Sequence, residues 1–205
     1  MSASKGWDAI DGALRRLYGY DAPFHIGTEH PWQLGGPDPL DGLSIYPRRT
    51  PVPHCHYIGY GMSELYEKES SDFELSGWGF EFTFRAAGVP NDSPPPLWPV
   101  NLLQRLGRYV IESGNRFEPG HTMKIGAGLD PSVPDSAIRA ITFVEDPELG
   151  TLDTPHGRVR FLQVVGITAA EYEAATGGRA RELLTRIAPR MPVFVTDTAR
   201  VSLAP

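Results

Sequence analysis

The sequence is poor in cysteine, in net basic charge and in long hydrophobic runs, and each shortage excludes a class of protein. The single cysteine, Cys55, cannot form an internal disulfide, which excludes a disulfide-rich scaffold. Nineteen Lys and Arg residues against 25 Asp and Glu residues give a net charge of −6, and they form no dense basic run. Binding to nucleic acid or to an acidic membrane surface therefore has no electrostatic support.

Hydrophobic runs are short throughout the chain. No segment is apolar enough to cross a bilayer, and residues 1–20 lack the continuous apolar stretch of a secretory signal. We therefore expect a cytoplasmic protein in a reducing compartment, with neither a membrane nor a nucleic acid as its partner.

The composition is otherwise that of a globular protein, with 205 residues of which 40% are hydrophobic and 21% charged. One domain spanning residues 1–205 is the simplest organisation for this length. The 22 glycines and 20 prolines predict many turns and few long helices. A chain of this size buries enough surface to fold without a metal, so any metal would have to serve chemistry.

The clearest local pattern is a run of alternating aromatic residues that predicts a strand. The aromatic side chains stand two positions apart, at Trp78, Phe80, Phe82 and Phe84. Between them stand Gly79, Glu81, Thr83 and Arg85. Because side chains alternate between the two faces of a strand, we expect the aromatic face to enter the core and the polar face to meet solvent.

Apolar residues three and four positions apart predict two amphipathic helices. One covers residues 7–17 and stops at Gly19, and the other covers residues 99–113 and stops at Gly114. Two shorter helices are also predicted. Thr168 and Glu171 have the spacing of a capping box that starts one of them, and a second periodic stretch at residues 179–187 predicts the other.

Further apolar runs predict strands at residues 43–46, 56–60, 122–125, 138–144, 159–167 and 193–196. A turn pattern at residues 154–157 is expected to fold 138–144 and 159–167 into a hairpin. The irregular mixture of helices and strands, without an internal repeat, predicts a single α+β domain.

His54 and His56 form the densest pair of metal-capable side chains, and on a strand they would point to the same face. A zinc site needs a third protein ligand, and no local pattern ties one to this pair. The candidates for that ligand are His25, His30, Glu64 and His121. We therefore expect two surface or hydrogen-bonded histidines and no bound metal. The alternative is a small metal-dependent hydrolase built on the pair.

Other chemical signatures are missing from the sequence. Residues 145–148 supply carboxylates, but Pro147 predicts an exposed acidic turn. There is no phosphate-cradling glycine motif, no Gly-x-Ser-x-Gly elbow and no His-Glu-x-x-His helix. Nothing near Cys55 would lower its pKa and make it a nucleophile. We expect no catalytic residues, no cofactor and no enzymatic activity.

Several short motifs follow one another in order, at residues 34–41, 56–66, 76–85, 98–99, 108–110, 145–147, 154–157 and 161–166. The first reads Leu-Gly-Gly-Pro-Asp-Pro-Leu-Asp, and the third reads Ser-Gly-Trp-Gly-Phe-Glu-Phe-Thr-Phe-Arg. Taken together they cover most of the chain from Leu34 to Asp197. In this order they resemble the amino-terminal domain of the Suppressor of fused family, in the form of its bacterial single-domain members.

The resemblance implies a mixed, mostly antiparallel sheet flanked by helices, and a non-enzymatic protein-binding function. Two-domain animal members of the family hold Gli-type transcription factors by clasping an extended peptide between their domains. Bacterial single-domain members look like immunity proteins, which neutralise a polymorphic toxin by binding it. The implied partner is another protein or extended peptide, with a toxin domain as the specific expectation, and no cofactor is implied.

The resemblance also implies three partner-binding residues. Tyr109 and Phe117 match positions that line the family's peptide groove, whereas His121 stands where that groove has an acidic residue. A neutral or cationic groove disfavours a histidine-bearing Gli peptide and favours an acidic partner. The alternative for Tyr109 and Phe117 is packing in the core, where both residue types are common.

Overall fold

The structure is a computed structural model that describes residues 4–89 and 94–204. Its helices are α1 (Lys5–Tyr18), α2 (Trp98–Ser113), α3 (Ala169–Ala175) and α4 (Ala180–Ile187). Its strands are β1 (Phe24–Gly27), β2 (Gly42–Arg48), β3 (His54–Tyr60), β4 (Leu75–Ala87), β5 (Thr122–Lys124), β6 (Ile138–Glu145), β7 (Thr151–Thr154) and β8 (Gly157–Thr168). The predicted α+β class is confirmed. Across the described ranges, every helix is too short or too polar to cross a bilayer.

One sheet contains all of these strands, and its hydrogen-bonded order is β1-β2-β3-β4-β8-β6-β5, with β7 paired to the first residues of β8. The central pair, β4 and β8, runs parallel, with Phe82 opposite Leu162. The other pairs are antiparallel. The mixed, mostly antiparallel sheet implied by the resemblance is therefore confirmed, and β1 and β5 are its two edges.

Helices cover both faces of the sheet. Helix α2 packs residues such as Leu103 against the face that carries Phe82. Helix α1 packs Leu14 against the opposite face, which carries Phe161. Helices α3 and α4 pack around Val165 in a third apolar cluster. The central strands are thus buried on both sides.

The predicted helix ends are confirmed. Gly114 adopts a left-handed conformation with φ of 70°, and its N–H donates to the carbonyl of Val110 at 2.9 Å. The capping box forms at the start of α3, where Thr168 Oγ1 accepts from the Glu171 N–H and a Glu171 carboxylate oxygen accepts from the Thr168 N–H. Local sequence chemistry therefore sets these boundaries.

Strand β4 confirms the aromatic half of its prediction and contradicts the polar half. Its aromatic side chains enter the core, and Trp78 alone is half-buried. The polar side chains were predicted to meet solvent, but they are fully buried. These residues are Glu81, Thr83 and Arg85. The reason is that β4 lies in the middle of the sheet, where the loop after β3 and the turn after β6 cover its second face and bond these side chains.

The carboxy-terminal strand predicted at residues 193–196 is wrong. The chain there forms a short 3-10 turn, Pro192–Phe194, and only Thr196 makes an isolated bridge, to Ala86. Val193 and Phe194 have positive φ angles of 45° and 53°. Their carbonyls accept hydrogen bonds from the Gln163 side-chain amide at 3.0 and 3.1 Å, so this turn is held by a distant side chain.

Two strands were not predicted, and one of them changes the predicted hairpin. The turn at residues 154–157 joins β7 to β8, so it does not connect β6 to β8 directly. Strand β1 is also new, and its four residues are mostly exposed. Both strands are too short and too exposed for an apolar alternation to identify them.

Candidate functional site

Tyr109, Phe117 and His121 surround one open cavity of about 720 Å³. Tyr109 lies near the end of α2, Phe117 lies in the loop that follows, and His121 immediately precedes β5. The opposite wall comes from Tyr172 on α3 and residues 175–178. Three residues separated by up to twelve positions in sequence are thus brought to one place, which we call the β5 cavity.

The aromatic wall of the β5 cavity is a stack of rings. Phe117 is 7% exposed and stacks on Phe143 with ring centroids 4.2 Å apart. Tyr109 stacks on Phe117 with ring centroids 5.4 Å apart, and Tyr109 is 39% exposed. Phe117 is therefore a core residue that supports the wall, and Tyr109 is the ring that a ligand can reach.

His121 is held by backbone contacts while its ring stays exposed. Its carbonyl accepts from the Phe143 N–H at 3.2 Å and from the Thr142 hydroxyl at 2.9 Å. Its Nδ1 lies 3.2 Å from the Glu118 N–H and accepts that hydrogen bond. This contact places the proton of the neutral ring on Nε2, which leaves Nε2 as a donor for a ligand.

Strand β5 forms the floor of the β5 cavity and the edge of the sheet. It pairs with β6 through His121, whose carbonyl accepts from Phe143, and through Ile125, whose N–H donates to Arg139 at 3.1 Å. Because hydrogen-bonding direction alternates along an antiparallel strand, the main-chain groups of Thr122 and Lys124 point outward. Within residues 4–89 and 94–204, no strand occupies that outer edge.

The charged side chains near the β5 cavity are already paired. Glu118 accepts from Arg160 at 2.6 Å, and Lys124 lies 3.0 Å from Glu173. Arg116 donates to the Trp78 carbonyl at 2.6 Å. What the cavity offers a ligand is therefore an aromatic ring, a histidine and open main-chain groups.

The predicted histidine pair lies elsewhere, on β3, and both side chains are fully buried. His56 accepts at Nδ1 from the Tyr18 hydroxyl and donates from Nε2 to Asp146 at 3.1 Å, so both its nitrogens are used. His54 Nδ1 donates to the Val52 carbonyl at 2.7 Å. Both histidines are hydrogen-bonded as expected and neither lies at the surface, but the buried Nε2 of His54 has no partner among the described residues.

The suggested third ligands do not join the histidine pair. Glu64 accepts from Lys68 at 2.8 Å, and His25 contacts Ser44 at 3.1 Å. In the described part of the chain, no three His, Cys, Asp or Glu side chains are close enough to hold a metal ion. Cys55 is buried on the opposite face of β3 from the histidines, and burial raises the pKa of its thiol to about 11, which makes it a poor nucleophile.

The acidic turn at residues 145–148 is exposed only in part: Glu145 and Pro147 meet solvent as predicted, but Asp146 points inward and is 1% exposed. Its carboxylate accepts from Arg85 at 2.7 and 3.0 Å and from the Thr83 hydroxyl at 2.8 Å. Burial alone would raise the pKa of Asp146, but contacts with His56 and Arg85 hold it well below its usual range. Asp146 is thus the ionised centre of a buried polar network.

The order Tyr18, His56, Asp146 has the outline of a proton-relay triad. All three side chains are at least 92% buried, and the chain of contacts runs from α1 through β3 to the turn after β6. Tyr18 is only 8% exposed, and burial raises its pKa. The contacts therefore fasten α1 to the sheet, and we call this set with Arg85 the buried network.

A sequence model of the family described as Suppressor of fused protein (SUFU) matches residues 36–201. A similar sequence is the human Suppressor of fused homolog, which is 38% identical over 210 residues. That alignment covers 95% of this chain and 43% of the human protein. The chain therefore spans less than half the length of this relative.

Solved structures show the same likeness. A chain in the Sufu-Fu complex crystal structure superposes with a TM-score of 0.88 at 33% identity, covering 98% of this chain and 93% of that one. A SUFU homolog from Neisseria gonorrhoeae superposes with a TM-score of 0.63 at 15% identity, covering 96% of each chain. The second match supports the fold alone.

Proposed function

The chain belongs to the Suppressor of fused family, and on that premise we propose that it is a non-enzymatic protein-binding domain. Its site is the β5 cavity, and its ligand is an extended segment of another protein. Tyr109, Phe117 and His121 are the partner-binding residues, with Phe117 acting mainly as the support of Tyr109.

The observation that carries this proposal is that the β5 cavity opens onto the unpaired edge of a sheet. An extended peptide can add a strand to such an edge, with main-chain hydrogen bonds supplying affinity and side-chain pockets supplying specificity. The outward main-chain groups of Thr122 and Lys124 are available for those hydrogen bonds, and the exposed ring of Tyr109 lines the side-chain pocket. Tyrosine is a frequent anchor residue at protein interfaces.

His121 sets the charge preference of the site. It replaces the acidic residue that the family has at this position, and Glu118 and Lys124 nearby are paired with Arg160 and Glu173. A partner segment with a carboxylate near His121 accepts a hydrogen bond from Nε2 and gains an ion pair when the ring is protonated. The proposed partner is therefore acidic at this point.

The specific role we propose is immunity, in which the bound partner is a toxin domain. Support comes from the resemblance to bacterial single-domain members of the family. The test is co-expression of the neighbouring gene product: growth arrest that this protein relieves supports immunity, and arrest that it leaves unchanged contradicts it.

The binding site is tested by hydrogen exchange on the complex with a partner captured from the native cell or encoded by the neighbouring gene. We expect slower exchange at the amides of Thr122 and Lys124 on complex formation, because both would be covered by an added strand. Slower exchange confined to α1 and β1 would place the interface at the other edge of the sheet.

The metal-dependent hydrolase gains no support from the geometry, since the nitrogens of His56 are engaged by Tyr18 and Asp146. Elemental analysis of the purified protein is the check. We expect no zinc that survives dialysis. One zinc per chain that a His54→Ala, His56→Ala double variant loses would revive the hydrolase.

A further inference from the structure

A second cavity, of about 420 Å³, lies at the other end of β5. It is bounded by the first half of α2 and by the loop that follows β5. The side chains that matter for its chemistry are Trp98, Asn101, Arg105, Leu129, Asp130 and Arg139. We call it the arginine cavity.

The two cavities lie along one face of α2. Asn101, Arg105 and Tyr109 are four residues apart, so their side chains form one stripe on the helix. Asn101 and Arg105 line the arginine cavity and Tyr109 lines the β5 cavity. The stripe from Asn101 to Tyr109 is about 12 Å long at 1.5 Å per residue.

Strand β5 runs beside this stripe in the opposite direction. His121 and Thr122 line the β5 cavity, and Ala127 lines the arginine cavity. The chain from Thr122 to Ile125 is extended and spans about 10 Å at 3.3 Å per residue. It then turns at Gly126, where the Ala127 N–H donates to the Ile125 carbonyl at 2.8 Å. Between the two ends, Met123 and Ile125 are half-buried against the core. One peptide of five or six extended residues is therefore long enough to reach both cavities.

The arginine cavity has unsatisfied positive charge. Arg105 is exposed and Arg139 is half-buried, and across the described ranges neither is in an ion pair. Arg139 donates to the Pro134 carbonyl at 2.9 Å, which holds its guanidinium in place. The carboxylate within the cavity, Asp130, accepts from the N–H and hydroxyl of Ser132 through Oδ1.

The walls around these arginines are apolar, with Trp98 half-buried and Leu129 buried. A carboxylate that enters such a cavity meets a guanidinium in a less polar setting than open solvent, where charge-assisted hydrogen bonds are stronger. Asn101, exposed at the same end of the stripe, adds an amide donor. The cavity is suited to an acidic side chain with a short apolar stem.

We propose that the arginine cavity binds an aspartate or glutamate of the same extended segment that occupies the β5 cavity. This proposal rests on the proposed function and adds a second specificity site to it. The acidic residue lies four to six positions along the partner segment from the residue that packs on Tyr109. The distance in sequence between the acidic residue and the residue that packs on Tyr109 is therefore the same in every binding peptide, and sequencing selected peptides measures it.

The test is selection of displayed random 12-residue peptides on the wild-type protein, on Tyr109→Arg and on an Arg105→Gln, Arg139→Gln double variant. An Arg16→Gln, Arg186→Gln variant, altered at two exposed arginines away from both cavities, removes the same charge as a control. Affinities of enriched peptides are then measured by fluorescence anisotropy.

We expect peptides that require Tyr109 to share an acidic residue at a fixed spacing, and to bind the Arg105, Arg139 variant at least tenfold more weakly than the control variant. Peptides that require Tyr109 but show no acidic enrichment, or that lose the same affinity on both double variants, overturn this proposal and leave the β5 cavity intact. Absence of any peptide that requires Tyr109 overturns the proposed function as well.

Discussion

Two regions of the molecule place a histidine beside a tyrosine, and they do so for different purposes. In the buried network, His56 lies between Tyr18 and Asp146, and no ring nitrogen is left for a ligand. In the β5 cavity, Tyr109 and His121 are exposed and keep free hydrogen-bonding capacity. Similar residue types therefore stabilise the fold where their hydrogen-bonding groups are all used, and are available to a ligand where those groups are free.

The buried network and the β5 cavity also differ in what their residues contribute energetically. Arg85 is completely buried and depends on Asp146 and Glu148 for neutralisation. A buried charge without a partner costs far more than an exposed one. We therefore expect substitutions in the buried network to change stability, and substitutions in the β5 cavity to change binding with little effect on stability.

The largest effect is expected for Asp146→Ala. The change leaves Arg85 buried without its main counter-ion, so the free energy of unfolding should fall by about 3 to 5 kcal/mol. Urea denaturation measures this. A loss below 1 kcal/mol, the usual scale of a surface change, would show that the network is not the anchor that fastens α1 to the sheet.

A smaller effect is expected from pH. Burial, aided by repulsion from Arg85, lowers the pKa of His56 to about 4, so the unfolded chain binds a proton that the folded chain excludes between about pH 6.5 and pH 4. The contribution of His56 to the free energy of unfolding is therefore fully present above that window. It is lost as the pH falls through the window, by about 1.4 kcal/mol per pH unit.

His56→Gln isolates this contribution, because glutamine can keep contacts to Tyr18 and Asp146 but does not titrate. Glu81, whose pKa burial raises to about 7, acts in the opposite sense, since its folded form binds the extra proton in the same window. The measurement is therefore the difference in unfolding free energy between wild type and His56→Gln, from pH 7 to pH 5. A difference that does not change with pH would contradict the assignment.

The smallest effect is expected for His121→Gln, measured as affinity for an acidic partner segment. Glutamine keeps a side-chain donor but loses the ring that holds Nε2 in place, so binding should weaken by about two- to fivefold, the scale of one hydrogen bond at an exposed site. Fluorescence anisotropy at a single pH measures the change. A His121→Gln protein that binds as tightly as the wild type would show that the imidazole makes no contact with the partner.

Local patterns in the sequence predicted the elements that depend on local chemistry. The glycine stop after α2, the capping box of α3 and the aromatic face of β4 all follow from spacing within a few residues. The turn at residues 192–194 could not be predicted this way, because Gln163 holds it from 30 residues away. Residues 193–196 read Val-Phe-Val-Thr, and these residue types favour strands, which is why the sequence pattern predicted one here.

The buried network was missed because its partners come from four separate segments. Arg85 alternates with aromatic residues and was predicted to face solvent, and Asp146 stands in a turn that reads as exposed. One signal was available: two opposite charges, Glu81 and Arg85, on a strand whose other face is strongly apolar. A long strand of this kind is often central, and central strands bury both faces.

The three residues of the β5 cavity came from the family resemblance and from no local pattern. Their convergence depends on the path from α2 through the following loop to the sheet edge, which spacing alone does not specify. The arginine cavity was found in the structure alone, because Arg105 and Arg139 stand 34 positions apart in the sequence.

The central claim is that a partner protein binds at the β5 cavity, and affinity for that partner measured with Tyr109→Arg tests it most directly. The matched control is Tyr20→Arg, the same change at a fully exposed tyrosine beyond the cavity walls. We predict that Tyr109→Arg keeps wild-type stability and weakens binding by at least 2 kcal/mol, about 30-fold, the scale of an anchor residue. Tyr20→Arg should bind as the wild type does. A folded Tyr109→Arg protein that binds with wild-type affinity would contradict the account.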